Sequence, residues 1–395
     1  MTVFAPETIE QAQEWVQARI SAQEPFCVRG VGRHFSSQEP TTSLESTRLT
    51  RTNFFDPDDM VVGVESGMRV NALQGLLSEK DMVLPVNPWF EDSTVGGLLA
   101  ANDIGPNRLN MGGLRDCIIG IEYLNGQGER VHAGGKVVKN VTGYDLCRMM
   151  LGSLGGLGVI TSANFKMMPQ PVAPHGLYGR FSDSTWLQNV AALHTGRLPI
   201  DWLQALSPAE SGTSDWLLGI GFSGNKERRS RLEREIRALF EVPLHLLADG
   251  ESHPDLPYLP GSARFTGWVS GLRRFWKLPP AHLHLMALMP TSEALNPMRF
   301  ETLRTDSLRM AIHPIGGDLH FFLDSEEADS QKALINALQP ILRRVQGKLV
   351  LGNAVPGIGY ETLGDFAKPP GYSVAKRLKQ HLDPAGVFHS AFYDL

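Results

Sequence analysis

Glycine is the feature of this chain that most restricts what it can fold into. Forty of the 395 residues are glycine, and before residue 160 they gather in short groups, mostly where a strand-like segment meets a helix-like one. Such groups are placed where backbone must come close to something or leave ordinary φ values. Tight connections alone can ask for glycine. Four groups within one domain favour the second explanation, a large phosphate-bearing ligand approached by backbone.

The first group is Arg29-Gly30-Val31-Gly32-Arg33, directly after the apolar strand Phe26 to Val28. Successive N–H groups in such a loop can form a concave nest for an anion. It is not the dinucleotide fingerprint, because Phe35 stands where a third glycine would fall, and the P-loop pattern is absent. The second group, Ser93-Thr94-Val95-Gly96-Gly97-Leu98, opens a small-residue helix whose free N–H groups and threonine hydroxyl suit phosphate; a tightly packed, capped helix reads equally well. Gly105-Pro106-Asn107-Arg108 and Gly112-Gly113-Leu114-Arg115-Asp116 come next. The longest run goes from Gly134 through Lys139, Asn140, Gly143, Tyr144 and Asp145 to Leu146, and resumes at Gly152-Ser153-Leu154-Gly155-Gly156-Leu157-Gly158-Val159-Ile160.

Around these groups, residues 1–170 alternate helix and strand patterns. Thr8 and Gln11 have capping-box spacing, ahead of a helix with Ile9, Ala12, Trp15, Val16 and Ile20 on one face. Val61 to Val64 and Val83 to Val86 read as strands, with a helix carrying Val70, Leu73, Leu76 and Leu77 between them. Ile118 to Leu124 and Arg130 to Ala133 read as a hairpin around Asn125-Gly126, and Gly158 to Met168 as a long closing strand. Pro169, Pro171 and Pro174 mark a boundary, beyond which polar helices (Asn225 to Phe240, Ser330 to Val345) flank strands such as His282 to Leu288 and Leu319 to Leu323. The expected fold class is α+β: a glycine-rich domain over 1–170, an α+β cap with an antiparallel sheet over 171–373, and a tail over 374–395 that returns to the first domain.

In this order the motifs resemble the FAD domain of the vanillyl-alcohol-oxidase/p-cresol-methylhydroxylase family. Within it they are most similar to the FAD-binding subunits of bacterial glycolate oxidases, the smaller of two flavin-binding chains. There the long run reads GGxVxKNVxGYDxxRLxxGSLGTLGV; this chain departs at Met149, where leucine is usual, and at Gly156, where threonine is usual. The resemblance is strong over about 1–170 and weak beyond. It implies a PCMH-type FAD-binding domain of two subdomains. Arg29, Gly30, Val31, Gly32 and Arg33, with Thr94, Val95, Gly96 and Gly97, would cradle the pyrophosphate. Gly143, Tyr144 and Asp145, and Gly152, Ser153, Gly155 and Gly158, would line the flavin and ribityl chain. Val159 and Ile160 would lie near the adenine end, and Gly105, Arg115, Asp116 and Lys139 complete the set. Some relatives tether FAD through a histidine one residue after paired glycines; here Arg33 displaces His34, so FAD is expected to be non-covalent.

The cap carries His313-Pro314-Ile315-Gly316-Gly317-Asp318-Leu319-His320. In catalytic relatives a similar run supplies two metal ligands, and a later Glu-His pair supplies the third ligand and the base. That dipeptide is missing here, so His313 and His320 are either an incomplete metal site or structural residues. No catalytic base can be named. The resemblance therefore implies an FAD-binding subunit of a glycolate-type 2-hydroxy-acid oxidase or dehydrogenase, working with a larger catalytic FAD subunit and an iron–sulfur subunit. A self-sufficient FAD-dependent 2-hydroxy-acid or alcohol oxidoreductase is the alternative. A net charge of −5 argues against general nucleic-acid binding. Three scattered cysteines and no spanning or signal-like segment point to the cytoplasm, with any membrane association made through partner subunits.

Overall fold

The computed structural model describes residues 2–32, 40, 42–86, 88, 92–105, 108–136, 145–172, 175–182, 186–207, 215–247, 283–294, 303, 308–313, 315–355, 357–368, 371–390 and 392–393. The chain divides into two units. The first comprises Met1–Gly105, Gly112–Gln170 and Lys368–Leu395; the second comprises Pro106–Met111 and Pro171–Ala367.

The first unit is built on two sheets, as the resemblance implied. One is parallel and four-stranded, in the order β1 (Thr2–Phe4), β3 (Thr42–Glu45), β2 (Phe26–Arg29), β19 (Phe388–His389). The other is antiparallel and five-stranded, in the order β4 (Thr52–Asp56), β5 (Val61–Glu65), β9 (Val159–Lys166), β7 (Ile118–Leu124), β8 (Arg130–Gly134). Of the expected third strand, Val83 to Val86, only Val83 pairs: β6 is Met82–Val83, against β10 (Met168–Pro169), and Leu84 and Val86 are buried without joining a ladder.

Helix α1 (Ile9–Ala22) starts where Thr8 Oγ1 accepts from the Gln11 N–H at 3.2 Å, while Gln11 Oε1 reaches back to the N–H of Glu7 rather than Thr8. Its buried Ala12 and Val16 pack with Phe26, Leu44, Leu124, Val387 and Phe388, so the C-terminal strand is part of this core. Helix α2 (Val70–Ser78) buries Val70, Leu73 and Leu77, and α3 (Val95–Ala101) buries Val95, Leu98 and Leu99, into a larger core shared with Met150, Leu157, Phe165 and Tyr393. The β7–β8 loop is longer than an Asn-Gly turn: Asn125 Oδ1 accepts from the N–H groups of Gln127 and Glu129, and the positive φ of 73° falls on Gly128 instead of Gly126.

Cys117 is packed into that larger core at 2% exposure. Burial, with the neighbouring Asp116 charge, pushes its thiol up to about 12. The folded chain keeps a proton that the unfolded chain releases near the ordinary thiol value of about 8.5. This contribution to stability is therefore intact below that pH and is lost as pH rises toward 12, by about 1.4 kcal/mol per pH unit. Urea midpoints should fall between about pH 9 and 11, and Cys117→Ala should flatten that slope. An equal slope in both proteins would show that Cys117 is not the group responsible.

The second unit is one antiparallel eight-stranded sheet, in the order β14 (His245–Leu247), β11 (His175–Phe181), β13 (Trp216–Phe222), β12 (Trp202–Leu206), β16 (Leu308–His313), β17 (Asp318–Leu323), β15 (Leu283–Leu288), β18 (Lys348–Asn353). Helix Ala328–Val345 buries Leu334, Ile335, Leu338, Leu342 and Val345, at helical spacing. Among the described residues no helix is long and apolar enough to cross a membrane.

Candidate functional site

Three of the glycine groups, 120 residues apart in sequence, converge in the first unit. Strand β2 delivers Arg29 and Gly30, and a Cβ built on Gly30 would collide with Thr94 Oγ1, so the first two loops touch. Thr94 is the N-cap of α3: its Oγ1 accepts from the Gly97 N–H at 3.1 Å. The 152–158 loop closes the third side. Gly152 N–H donates to Leu99 O at 3.0 Å and Leu154 N–H to Ala100 O at 2.9 Å, tying the loop to α3. Gly155, at φ +76°, comes so near β2 that a Cβ would lie 3.2 Å from Val28 Cβ. The N–H groups that open α3 are not free, contrary to one reading of the sequence: Val95 donates to Met68 O, Gly96 to Ser66 O, Gly97 to Thr94 Oγ1 and Leu98 to Thr94 O, which is the capped, tightly packed helix.

Two serines mark the same region. Ser153, 1% exposed, has an Oγ with no hydrogen-bond partner among the described residues, and so does Ser66, 0% exposed. A buried hydroxyl left unpaired costs about 1–3 kcal/mol, which a polar ligand would relieve. Ser66 was not among the residues picked from sequence. It sits between β5 and α2, donates its N–H to Thr161 O, and accepts from the Gly96 N–H at 2.7 Å. A serine–glycine pair at a strand-to-helix junction was its only signal.

The other sequence-picked residues divide. Val159 and Ile160 begin β9 and pair with Leu124 and Tyr123 of β7, whereas the pairing with β5 stops at Ser162. Asp116 accepts from the Gly113 N–H at 2.8 Å, and Asp145 caps helix Leu146–Met149 while pairing with Arg148 at 2.9 Å. Both carboxylates therefore serve local backbone. Arg115 is exposed, and Gly105 is buried ahead of the next loop. Arg33, His34, Lys139, Gly143 and Tyr144 lie outside the described residues.

In the second unit the register brings His313 opposite Asp318 and places His320 and His284 on the same sheet face. All four are buried. Asp318 Oδ2 lies 3.6 Å from His313 Nδ1 and 3.4 Å from His320 Nε2, and His320 Nδ1 lies 3.0 Å from His284 Nε2. Asp318, His320 and His284 thus form a hydrogen-bonded chain, with His313 beside the same Asp318 oxygen. Among the described residues no group of three or more His, Cys, Asp or Glu is arranged to hold a metal. Gln204 on β12 adds a buried amide in which neither oxygen nor nitrogen has a partner among the described residues.

Residues 2–134, most of them in this first unit, match the family model described as "FAD binding domain". Over that stretch the chain is similar to FAD-binding domains, as the motifs implied. It is 32% identical over 194 residues to glycolate oxidase subunit GlcE of Escherichia coli, covering 48% of this chain and 55% of that one. It is 28% identical over 172 residues to a D-lactate dehydrogenase of Archaeoglobus fulgidus, covering 42% of this chain and 39% of that one. The chain thus spans about half the length, or less, of these two relatives. A solved alkyldihydroxyacetonephosphate synthase shares the fold at a TM-score of 0.70 and 16% identity, over 98% of this chain and 76% of that one.

Proposed function

We propose that this chain is the FAD-binding subunit of a glycolate-type 2-hydroxy-acid oxidoreductase complex, holding non-covalent FAD beside a larger catalytic flavoprotein subunit and an iron–sulfur subunit. The observation that carries the reading is the convergence of Gly30, Thr94 and the 152–158 loop on one backbone cradle with two unpaired serine hydroxyls. Support for the 2-hydroxy-acid class comes from the relatives named glycolate oxidase subunit and D-lactate dehydrogenase. Bound FAD would accept two electrons, and the protein's own part is binding and orientation. In the first unit Asp116 and Asp145 each accept from a backbone N–H of their own helix start, and neither is assigned the role of base in this reading. The chain's contribution is therefore electron carriage or support of the catalytic subunit.

A second reading, a self-sufficient oxidoreductase, is favoured by the buried His313–Asp318–His320–His284 chain, which holds groups able to take a proton. Purification from the native host tests the proposal. The chain should come with a second flavoprotein and with protein-bound iron, and acid precipitation should leave its FAD in the supernatant. A yellow chain that purifies alone, free of iron, would overturn the subunit assignment, and flavin retained in the pellet would overturn the non-covalent one.

A further inference from the structure

The longest motif departs from its relatives at Gly156, and the structure fills that position from elsewhere. A Cβ on Gly156 would lie 2.5 Å from Cδ2 and Cε2 of Tyr393 and 3.2 Å from Ser390 Cβ. Where the family pattern carries threonine, this chain carries an aromatic ring delivered by its C-terminal segment. Tyr393 is 6% exposed and packs in the same core as Met150, just before the loop, and Leu157 within it.

The segment that brings Tyr393 there is held along its length. Buried Asp383 pairs with Lys379 and accepts from the N–H groups of Val387 at 3.1 Å and Phe388 at 2.9 Å. Phe388 and His389 then form β19 beside Phe26 and Cys27 of β2, the strand that feeds the Arg29–Gly32 loop. Tyr393 N–H donates to Ser390 O at 2.9 Å. Its ring meets Phe392 edge-on at 5.1 Å, Phe392 meets Tyr372 at 5.4 Å, and the Tyr372 hydroxyl donates to Phe392 O at 3.0 Å. One segment thus touches the 152–158 loop and the strand that leads into the first loop.

From Gly156 the path into the cradle is short. Gly156 N–H donates to Ser153 O at 2.9 Å, and Ser153 carries one of the unpaired hydroxyls. Displacing Gly156 moves Ser153, and Gly155 beside it already lies against Val28 with no slack for a side chain.

We infer that Tyr393 is a positioning residue of the FAD site: its ring replaces the side chain missing at Gly156 and fixes the course of the 152–158 loop. The inference rests on that loop being part of the flavin cradle. The pair is a steric swap, so enlarging one member should be tolerated when the other is made small.

The experiment uses full-length protein stripped of flavin and titrated with FAD, with thermal unfolding of the flavin-free proteins alongside. Gly156→Thr and Tyr393→Ala should each weaken FAD binding by about tenfold or more, and the double variant should recover most of the loss. Tyr393→Leu and Gly156→Ala serve if either larger change prevents folding, and they should show smaller losses with the same recovery on combination. Losses that add in the double variant, or a Tyr393 variant with wild-type affinity, would overturn the inference while leaving the flavin site intact. Wild-type protein that binds no FAD would overturn the cradle reading and this inference with it.

Discussion

Gly30→Val empties the FAD site. The new side chain would be driven into Thr94 Oγ1, the atom that caps α3 by accepting from Gly97. The loop and the helix start cannot both keep their places. Losing the cap alone costs about 1 kcal/mol, and forcing β2 and α3 apart moves the Arg29–Gly32 loop away from the helix start it touches. Gly155→Val should act from the opposite side: φ is +76° there, a region that costs a β-branched residue about 1–2 kcal/mol, and its Cβ would press on Val28. Each variant should purify with less than about a tenth of the wild-type flavin per chain, since each tenfold loss needs only about 1.4 kcal/mol. The second unit, with its own sheet and core, should keep its fold, so circular dichroism should change little. Gly75→Ala is the control. Nothing lies within 4 Å of its added Cβ, and on α2 it should stabilise by about 0.8–1 kcal/mol without touching flavin content. Full flavin occupancy in the two valine variants would reduce these glycines to turn residues.

The parts of the site that were legible in the sequence are those where one residue type is demanded locally. Gly30, Gly155 and the Thr94 cap stand out because close backbone approach and helix starts restrict composition strongly, and each was readable within a few residues of itself. What the sequence hid was long-range. Ser66 matters because it meets Gly96 thirty residues on, and Tyr393 because the chain returns from its far end to Gly156; nothing in either local stretch announces the meeting. The carboxylates Asp116 and Asp145, picked within a motif, each accept from a backbone N–H a few residues away, a local partner that the motif did not announce. Strand reading failed where burial was mistaken for pairing: Val83 to Val86 is apolar because Leu84 and Val86 face the core, while only Met82 and Val83 find a partner strand. The histidines His313 and His320 were visible seven apart, but their link through Asp318 to His284 needed the β15–β17–β16 register.

That histidine chain sets the terms of the last prediction, that the isolated flavin-loaded protein is not reduced by glycolate or D-lactate at a useful rate. The Glu-His pair that supplies a third metal ligand and the base in catalytic relatives has no counterpart after His320 in this sequence. His320 is fully buried, with Asp318 on one side and His284 on the other, so its ring nitrogens are already committed to hydrogen bonds within the sheet. His313 shares the same Asp318 oxygen at 3.6 Å. A base engaged in this way has to give up a buried partner before it can take a substrate proton, at about 1–3 kcal/mol for each group left unpaired. General acid–base assistance is worth about 10²–10⁴-fold, and flavin bleaching should be slower than in a catalytic subunit by a factor in that range. Anaerobic stopped-flow in the flavin absorption band, with divalent metal supplied, makes the measurement. His313→Ala and His320→Ala should leave the slow rate unchanged while lowering thermal stability, because both remove a partner from Asp318. Rapid bleaching by either acid, abolished in either histidine variant at full flavin occupancy, would make this chain the catalyst and the buried His–Asp chain its proton acceptor.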